Sequence, residues 1–230
     1  MEEKLAIKYY GSIHLGNINI WITQTEINMW AVMAALIILA IVVRVRLKKF
    51  TPKPKGFQNV IELAVEMFSN QLTDVMGVEY AYFGNWFFSV FAFIFFSNIS
   101  GIIALREPTA DISMTLMFGL SSFFLFHYMG MWKGGKHYFK EYITPSPIMA
   151  PIHIMGELAK PISLSFRLFG AITGGYILME LVYNLFPIWL KFVIPAALAG
   201  FFNIFMGSLQ AYIFLMLSMT FIRINIPEGR

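Results

Sequence analysis

Two long apolar tracts constrain this chain more than any other feature. Residues 148–185 and 187–222 are almost unbroken stretches of apolar and small residues, parted near "LFPIW" by Pro187. At 1.5 Å per residue, roughly 36 helical residues reach about 54 Å, nearly twice the ~30 Å hydrocarbon core of a bilayer. Neither tract can stand upright in one piece. Each must tilt steeply or kink, and a steeply tilted helix needs a large protein surface to lean on. For the first tract an alternative is a shorter helix that begins at Pro161, because proline suits a first helical turn.

Three shorter apolar runs precede them, giving expected helices at about 27–47, 83–105 and 112–132. The composition agrees: 58% of the 230 residues are apolar and only 13% are charged, against about a quarter charged in a soluble domain. The expected fold class is therefore an all-α integral membrane protein with five membrane-entering helices, the last two long and steeply tilted, plus one amphipathic surface helix. That last helix is 57–76, where Phe57, Val60, Ile61, Ala64, Met67, Phe68, Leu72 and Val75 recur at helical spacing and Glu62, Glu66, Asn70 and Asp74 lie elsewhere around the wheel. It reads as a helix on the membrane surface or against a partner. Residues 1–26 are expected to form an extracytoplasmic N-terminal segment and 27–230 a single membrane domain, with no separate soluble catalytic domain.

Charge gives the orientation. On alternating topology Arg44, Arg46, Lys48, Lys49, Lys53, Lys55, Lys133, Lys136, Lys140, Arg223 and Arg230 fall inside, while Lys4, Lys8, Arg106 and Lys191 fall outside. Eleven against four predicts an N-terminus outside and a C-terminus in the cytoplasm. The pI of about 9.2 reports this loop bias, and no nucleic-acid partner is expected. The N-terminus has neither the basic n-region and apolar h-region of a secretory signal nor the character of a transit peptide, so the mature protein is expected to begin near Met1. There is no cysteine, which excludes disulfides, thiolate metal sites and cysteine nucleophiles.

Within "KPISLSFRLFGAITGGYILMELVYNL", residues 160–185, Arg167 has no acid among the nine residues on either side. A mid-span arginine costs about 2.5–3.5 kcal/mol on insertion scales and by default marks a functional group facing the bundle interior or a wet cavity. Snorkelling towards the end near Lys160 competes with that reading. On a helical wheel Ser163, Gly170, Ala171 and Gly174 share the face of Arg167, and all are small. The Gly170 to Gly174 spacing by itself fits simple helix pairing equally well. On the opposite side run Thr173, Tyr176, Glu180 and Tyr183 or Asn184, which could line a wet path or be satisfied polar packing. The last tract places Gly200, Asn203, Gly207 and Gln210 on one face, which suggests two long helices lying side by side.

Other patterns fail on context. "GMWKGGKH" matches the glycines and lysine of a phosphate-binding loop, but His137 replaces the hydroxyl residue and a helix precedes it where the motif needs a strand. His14, His127, His137 and His153 have no zinc-protease spacing. Asn98-Ile99-Ser100 fits a glycosylation sequon but falls inside an expected helix.

"KPISLSFRLFG" followed by "LQAYIFLMLSMTFI" resembles the two signature helices of subunit a of F-type ATP synthases, and "PTADISMTL" resembles that family's Pro-Ser/Thr-Ala-Asp stretch. The likeness covers the chain from about residue 29 onward. It implies an ion path without catalytic residues: a ring of c subunits, each with an ion-binding carboxylate, turns past the chain between two offset half-channels. Arg167 matches the family's essential arginine and Gln210 its partner glutamine; Asp111 and Glu157 match acidic positions near the half-channels. Ser163, Gly170, Ala171, Gly174 and Gly207 become rotor-facing small residues, and Asn203, Tyr176 and Glu180 candidates for the path. Implied partners are the c ring, the b-subunit peripheral stalk, the remaining Fo and F1 subunits and membrane lipid. No cofactor or metal is implied, and ATP chemistry lies on other subunits. The implied location is a bacterial cell membrane.

The chain departs from the family pattern at Ala171, where many proton-driven members have Asn, and at Tyr176 and Asn203, where they carry Glu and His. A path lined by neutral oxygens suits a hard cation, so Na⁺ is an alternative to H⁺ as coupling ion. A secondary transporter with an anion-binding arginine is a further alternative, although it should show paired halves, and no internal repeat is present.

Overall fold

The structure is a computed structural model that describes residues 9–15, 18–47, 56–103, 106–135, 138, 150–187 and 190–226. Among the described residues, five helices are long and apolar enough to cross a membrane: Gln24–Leu47, Val78–Ser100, Ile112–Gly134, Ala150–Leu185 and Ile194–Asn225. We label the helical elements α1 (Gln24–Leu47), α2 (Phe57–Met76), α3 (Gly84–Ser100), α4 (Ile112–Gly134), α5 (Ala150–Leu185), α6 (Leu190–Ala199) and α7 (Gly207–Asn225). A 3₁₀ segment, Val78–Phe83, leads into α3, and a π-helical segment, Gly200–Met206, joins α6 to α7. The all-α membrane architecture expected from the sequence is what the chain adopts.

Its one addition is an antiparallel hairpin ahead of α1, β1 (Tyr9–Leu15) with β2 (Ile18–Thr23), closed by the Leu15↔Ile18 pair. The alternation in "INIWIT", rich in β-branched and aromatic residues, carries the signal for β2. β2 runs directly into α1 through a capping box. The Glu26 carboxylate accepts from the Thr23 N–H at 3.0 Å while Thr23 Oγ1 accepts from the Glu26 N–H at 3.4 Å. That cap starts α1 at Gln24, three residues before the apolar run itself.

α3 stops at Ser100, short of the expected 105, because the chain tightens into a 3₁₀ turn at Gly101–Ile103. α5 runs unbroken from Ala150 through Pro161 to Leu185, so the shorter helix starting at Pro161 does not form. Proline supplies no N–H to the carbonyl four residues back. On its C-terminal side the Ser165 hydroxyl donates to the Pro161 carbonyl at 2.8 Å. The Pro187 break holds, with α5 ending at Leu185 and α6 beginning at Leu190.

The chain forms two compact units. One comprises Lys49–Phe91, Thr115–Leu168 and Gln210–Arg230. Its core joins Leu72 and Met76 of α2, Tyr80, Phe87 of α3, Phe126 and Met129 of α4, and Leu215, Met219 and Ile222 of α7. Only the second half of α2 enters this core; Phe57, Val60, Leu63 and Met67 remain exposed. α2 ends where Gly77 adopts φ 91°, a left-handed conformation that glycine takes without steric cost. α4 meets α5 closely at Gly119, where an added Cβ would overlap Ser165 Oγ and lie 2.6 Å from the Pro161 carbonyl oxygen.

The other unit comprises Met1–Lys48, Ala92–Met114 and Phe169–Leu209. Asn98 organises it from within α3: its Nδ2 donates to the Gly207 carbonyl at 3.0 Å and its Oδ1 accepts from the Thr109 hydroxyl at 3.0 Å. The sequon lies inside α3 as expected, and the Asn98 side chain is buried. Asn28 of α1 donates to the Arg106 carbonyl at 2.8 Å. α5 touches the π segment where Gly175 faces the Phe202 ring, 3.1 Å from the position of a Cβ.

Candidate functional site

α5 presents two opposite stripes. Pro161, Leu164, Ser165, Leu168, Ile172 and Gly175 are buried, at the 3- and 4-residue steps of a packed helix face. Ser163, Arg167, Gly170 and Gly174 are exposed on the other side, with Ala171 partly covered between them. A Cβ added at Gly170 or Gly174 would meet nothing within 4 Å. Among the described residues nothing packs on these two glycines. Arg167 stands in that cleared strip, and among the described residues no carboxylate pairs with it.

Gly207 lies elsewhere. It is buried, and a Cβ there would come 2.6 Å from the Cβ of Asn98, so its smallness serves the α3 contact and not an open outer face. Asn203, four residues earlier, borders Gly101 just after α3. Of that small and polar face, Asn203 and Gly207 thus lie against the end of α3, whereas a Cβ at Gly200 would meet nothing within 4 Å among the described residues. The two long helices do meet, but at Gly175 and Phe202. The π segment explains part of the difference, since i→i+5 bonding widens the turn and a 3.6-residue wheel loses its register through 200–206.

The remaining candidates take these positions. Gln210 is buried and its Nε2 has no hydrogen-bond partner among the described residues, nor has the buried Thr173 Oγ1. Tyr176 is exposed and Glu180 half-buried, and the Asn184 amide donates to the Glu180 backbone carbonyl at 2.8 Å, not to its carboxylate. Asp111 accepts from the Ser113 N–H at 3.1 Å, which makes it the N-cap of α4. Glu157 Oε1 pairs with Lys160 Nζ at 2.5 Å, and Lys160 also lies over the Phe126 and Phe221 rings at 5.7 and 5.4 Å. Glu157 Oε2 is buried and has no hydrogen-bond partner among the described residues. Lys160 is thus satisfied locally, one turn and more from Arg167.

Sequence reasoning passed over Glu107. It precedes Pro108, which confines it to extended backbone (φ −62°, ψ 128°). Its carboxyl reaches the space over Gly101, next to Asn203 Nδ2. Burial without a compensating cation raises its pKa to about 8. In the unfolded chain such a group ionises near 4.5. Between these values the folded loop holds a proton that the unfolded chain has lost, so the contribution of this carboxyl to stability falls as pH rises from about 4.5 to about 8. Only the preceding proline hinted at this geometry in the sequence.

Comparison with known proteins now decides the family. The ATP synthase A chain profile matches residues 27–223. The chain belongs to the ATP synthase A chain family. It is 32% identical over 211 residues to ATP synthase subunit a of Moorella thermoacetica, covering 91% of this chain and 92% of that one. It is 31% identical over 217 residues to the chloroplastic ATP synthase subunit a of Bigelowiella natans, covering 89% and 86%. The A-chain match begins at the first span, after the hairpin, and takes in every candidate residue named above. With its five long apolar helices, this member of the A chain family is a multi-pass membrane protein.

Proposed function

We propose that the chain is the stator subunit of an Fo motor, carrying two ion half-channels past which a ring of c subunits turns, and that Arg167 forces each ring carboxylate to release its ion. The reading rests on Arg167 in its cleared strip: an exposed guanidinium that no carboxylate pairs with among the described residues, flanked by glycines over which none of those residues packs. A fixed cation beside a rotor carboxylate favours the ionised form and lowers its affinity for the ion. It also repels a cation that would pass straight from one half-channel to the other. In this reading Gln210, whose buried amide nitrogen has no partner among the described residues, acts with it. The N-terminus lies outside and the C-terminus in the cytoplasm of a bacterial cell membrane, and the peripheral stalk and F1 complete the complex.

Bulk placed on the strip tests this reading. Gly174→Leu projects into open space and exchanges a poor helix former for a good one, so the subunit should assemble normally, with up to about 1 kcal/mol more helix stability. ATP-driven ion pumping by reconstituted complex should nonetheless fall by more than about tenfold, since steric bulk would hold the ring away from Arg167. Normal pumping by assembled Gly174→Leu complex would remove the strip from the rotor contact.

The proton is the proposed coupling ion. Na⁺ is the second reading, favoured by the neutral oxygens of Tyr176 and Asn203. ATP synthesis under a pure pH gradient with sodium rigorously removed separates them, and only the proton reading survives synthesis under those conditions.

A further inference from the structure

We infer that Glu107 is the proton-exchanging group at the loop end of the ion path, working with Asn203 over the bare backbone of Gly101. The inference rests on the proposed function and adds to it a residue of the loop before α4, four positions ahead of Asp111.

Three features of the fold converge on this point. Gly101 opens the turn after α3, and a Cβ there would overlap the Glu107 carboxylate and stand 2.8 Å from Asn203 Nδ2. Both groups therefore border one patch of backbone that any larger residue would fill. Asn203 belongs to the π segment, whose sequence GFFNIFM contains no ionisable side chain and no other polar one. π segments inside helices occur frequently at functional sites. Finally, Pro108 holds the backbone of Glu107 extended, which fixes the direction in which its side chain leaves the loop.

The electrostatic surroundings are close to neutral. The turn Gly101–Ile103 carries no charge. On the loop itself, the cation of Arg106 and the anion of Asp111, which caps α4, are of opposite sign and cancel in net charge. On α1 the Glu26 carboxylate is occupied by the Thr23 N–H, and on α5 the nearest acid along the chain from Gly175 is Glu180. Among the described residues no cation pairs with Glu107. A carboxyl in such a place keeps its proton at neutral pH and yields it near pH 8, as burial dictates. That is the working range of a group exchanging protons with water at one end of a path. The step is a simple transfer: the carboxyl loses its proton to the path or takes one from water, and the Asn203 amide donates to the carboxylate left behind. Tyr176 and Asn203 supply no carboxylate of their own, and Glu107 brings one to Asn203.

The test uses the complete complex in sealed vesicles, with passive proton conduction measured after F1 is stripped, from about pH 6.5 to about pH 9.5. Wild-type conduction should show a step with a midpoint near 8. Glu107→Gln should lose the step and conduct roughly tenfold less at neutral pH, while Glu107→Asp should keep a step at a displaced midpoint. Wild-type conduction with an unchanged step in assembled Glu107→Gln overturns the inference. So does an equal loss in both variants with the wild-type midpoint preserved, which would mark a structural loop residue. If Glu107→Gln does not assemble, the Glu107→Asp midpoint decides alone, and an undisplaced midpoint overturns it. A step that follows sodium concentration at fixed pH also overturns it, in favour of a cation site. Arg167→Ala runs in parallel with ATP as the driving force: loss of pumping there, together with a negative Glu107 result, sinks only this inference, whereas normal pumping sinks the proposed function itself.

Discussion

Replacing Arg167 with alanine is expected to abolish coupled pumping while leaving the complex assembled. Inside the chain the guanidinium has no ion pair among the described residues, so its loss leaves no buried carboxylate stranded. On the proposed function its work is done on the rotor. A unit charge about 4 Å from a rotor carboxylate contributes about 4 kcal/mol at an effective dielectric of 20. That corresponds to roughly three pK units of the carboxylate, or about a thousandfold in ion affinity. Without it the ring site would retain its ion as it passes, and the ion would be carried round instead of released. The barrier to direct passage would fall with it, and each ion leaking across 100 mV would dissipate about 2.3 kcal/mol. Arg167→Lys keeps the charge but not the rigid planar fork, and should retain only a fraction of coupling. Proton uptake driven by ATP in reconstituted vesicles is the measurement; uptake at the wild-type rate by Arg167→Ala would end the reading.

The second large effect is structural. Gly119→Val is expected to prevent stable accumulation of the subunit. The new Cβ would overlap Ser165 Oγ and stand 2.6 Å from the Pro161 carbonyl oxygen, which belongs to the backbone of a long helix and cannot rotate aside. Overpacking of a core commonly costs about 1–3 kcal/mol, and a contact made by backbone lies at the upper end. The cost here also includes the Ser165 to Pro161 hydrogen bond, through which α5 passes its internal proline. In a bilayer, where lipid is as apolar as leucine, close approach at small residues is a main source of helix pairing, so pushing α4 and α5 apart removes what holds them. Gly119→Ala should be milder, with some assembly retained. Native-gel recovery of intact complex reads the series, and normal recovery of Gly119→Val would show that the contact is not as close as described. Gly119→Val and Gly174→Leu thus form a contrasting pair: the first should fail before any function is tested, the second should assemble and fail only when the ring must turn.

Length, hydropathy and local pattern in the sequence determined the membrane class, the number of long apolar helices, the amphipathic α2 and the break at Pro187. They also determined the placing of Arg167 among small residues on one face of α5. These are properties of neighbours three or four residues apart, and a helix expresses them wherever it is put. The capping box of α1 and the alternation of β2 belong to the same class, being written in residues 18–26, although only the structure drew attention to them. Tertiary structure alone decided which glycines face outward and which are filled. Gly170 and Gly174 stand open, whereas Gly119 and Gly207 are closed by Pro161 with Ser165 and by Asn98. It alone brought Glu107 to Gly101 and Asn203, and it alone set Asn203 and Gly207 against the end of α3. Such contacts join residues far apart in the chain, and a single π segment, by shifting the register of everything beyond it, makes them unreadable from a wheel.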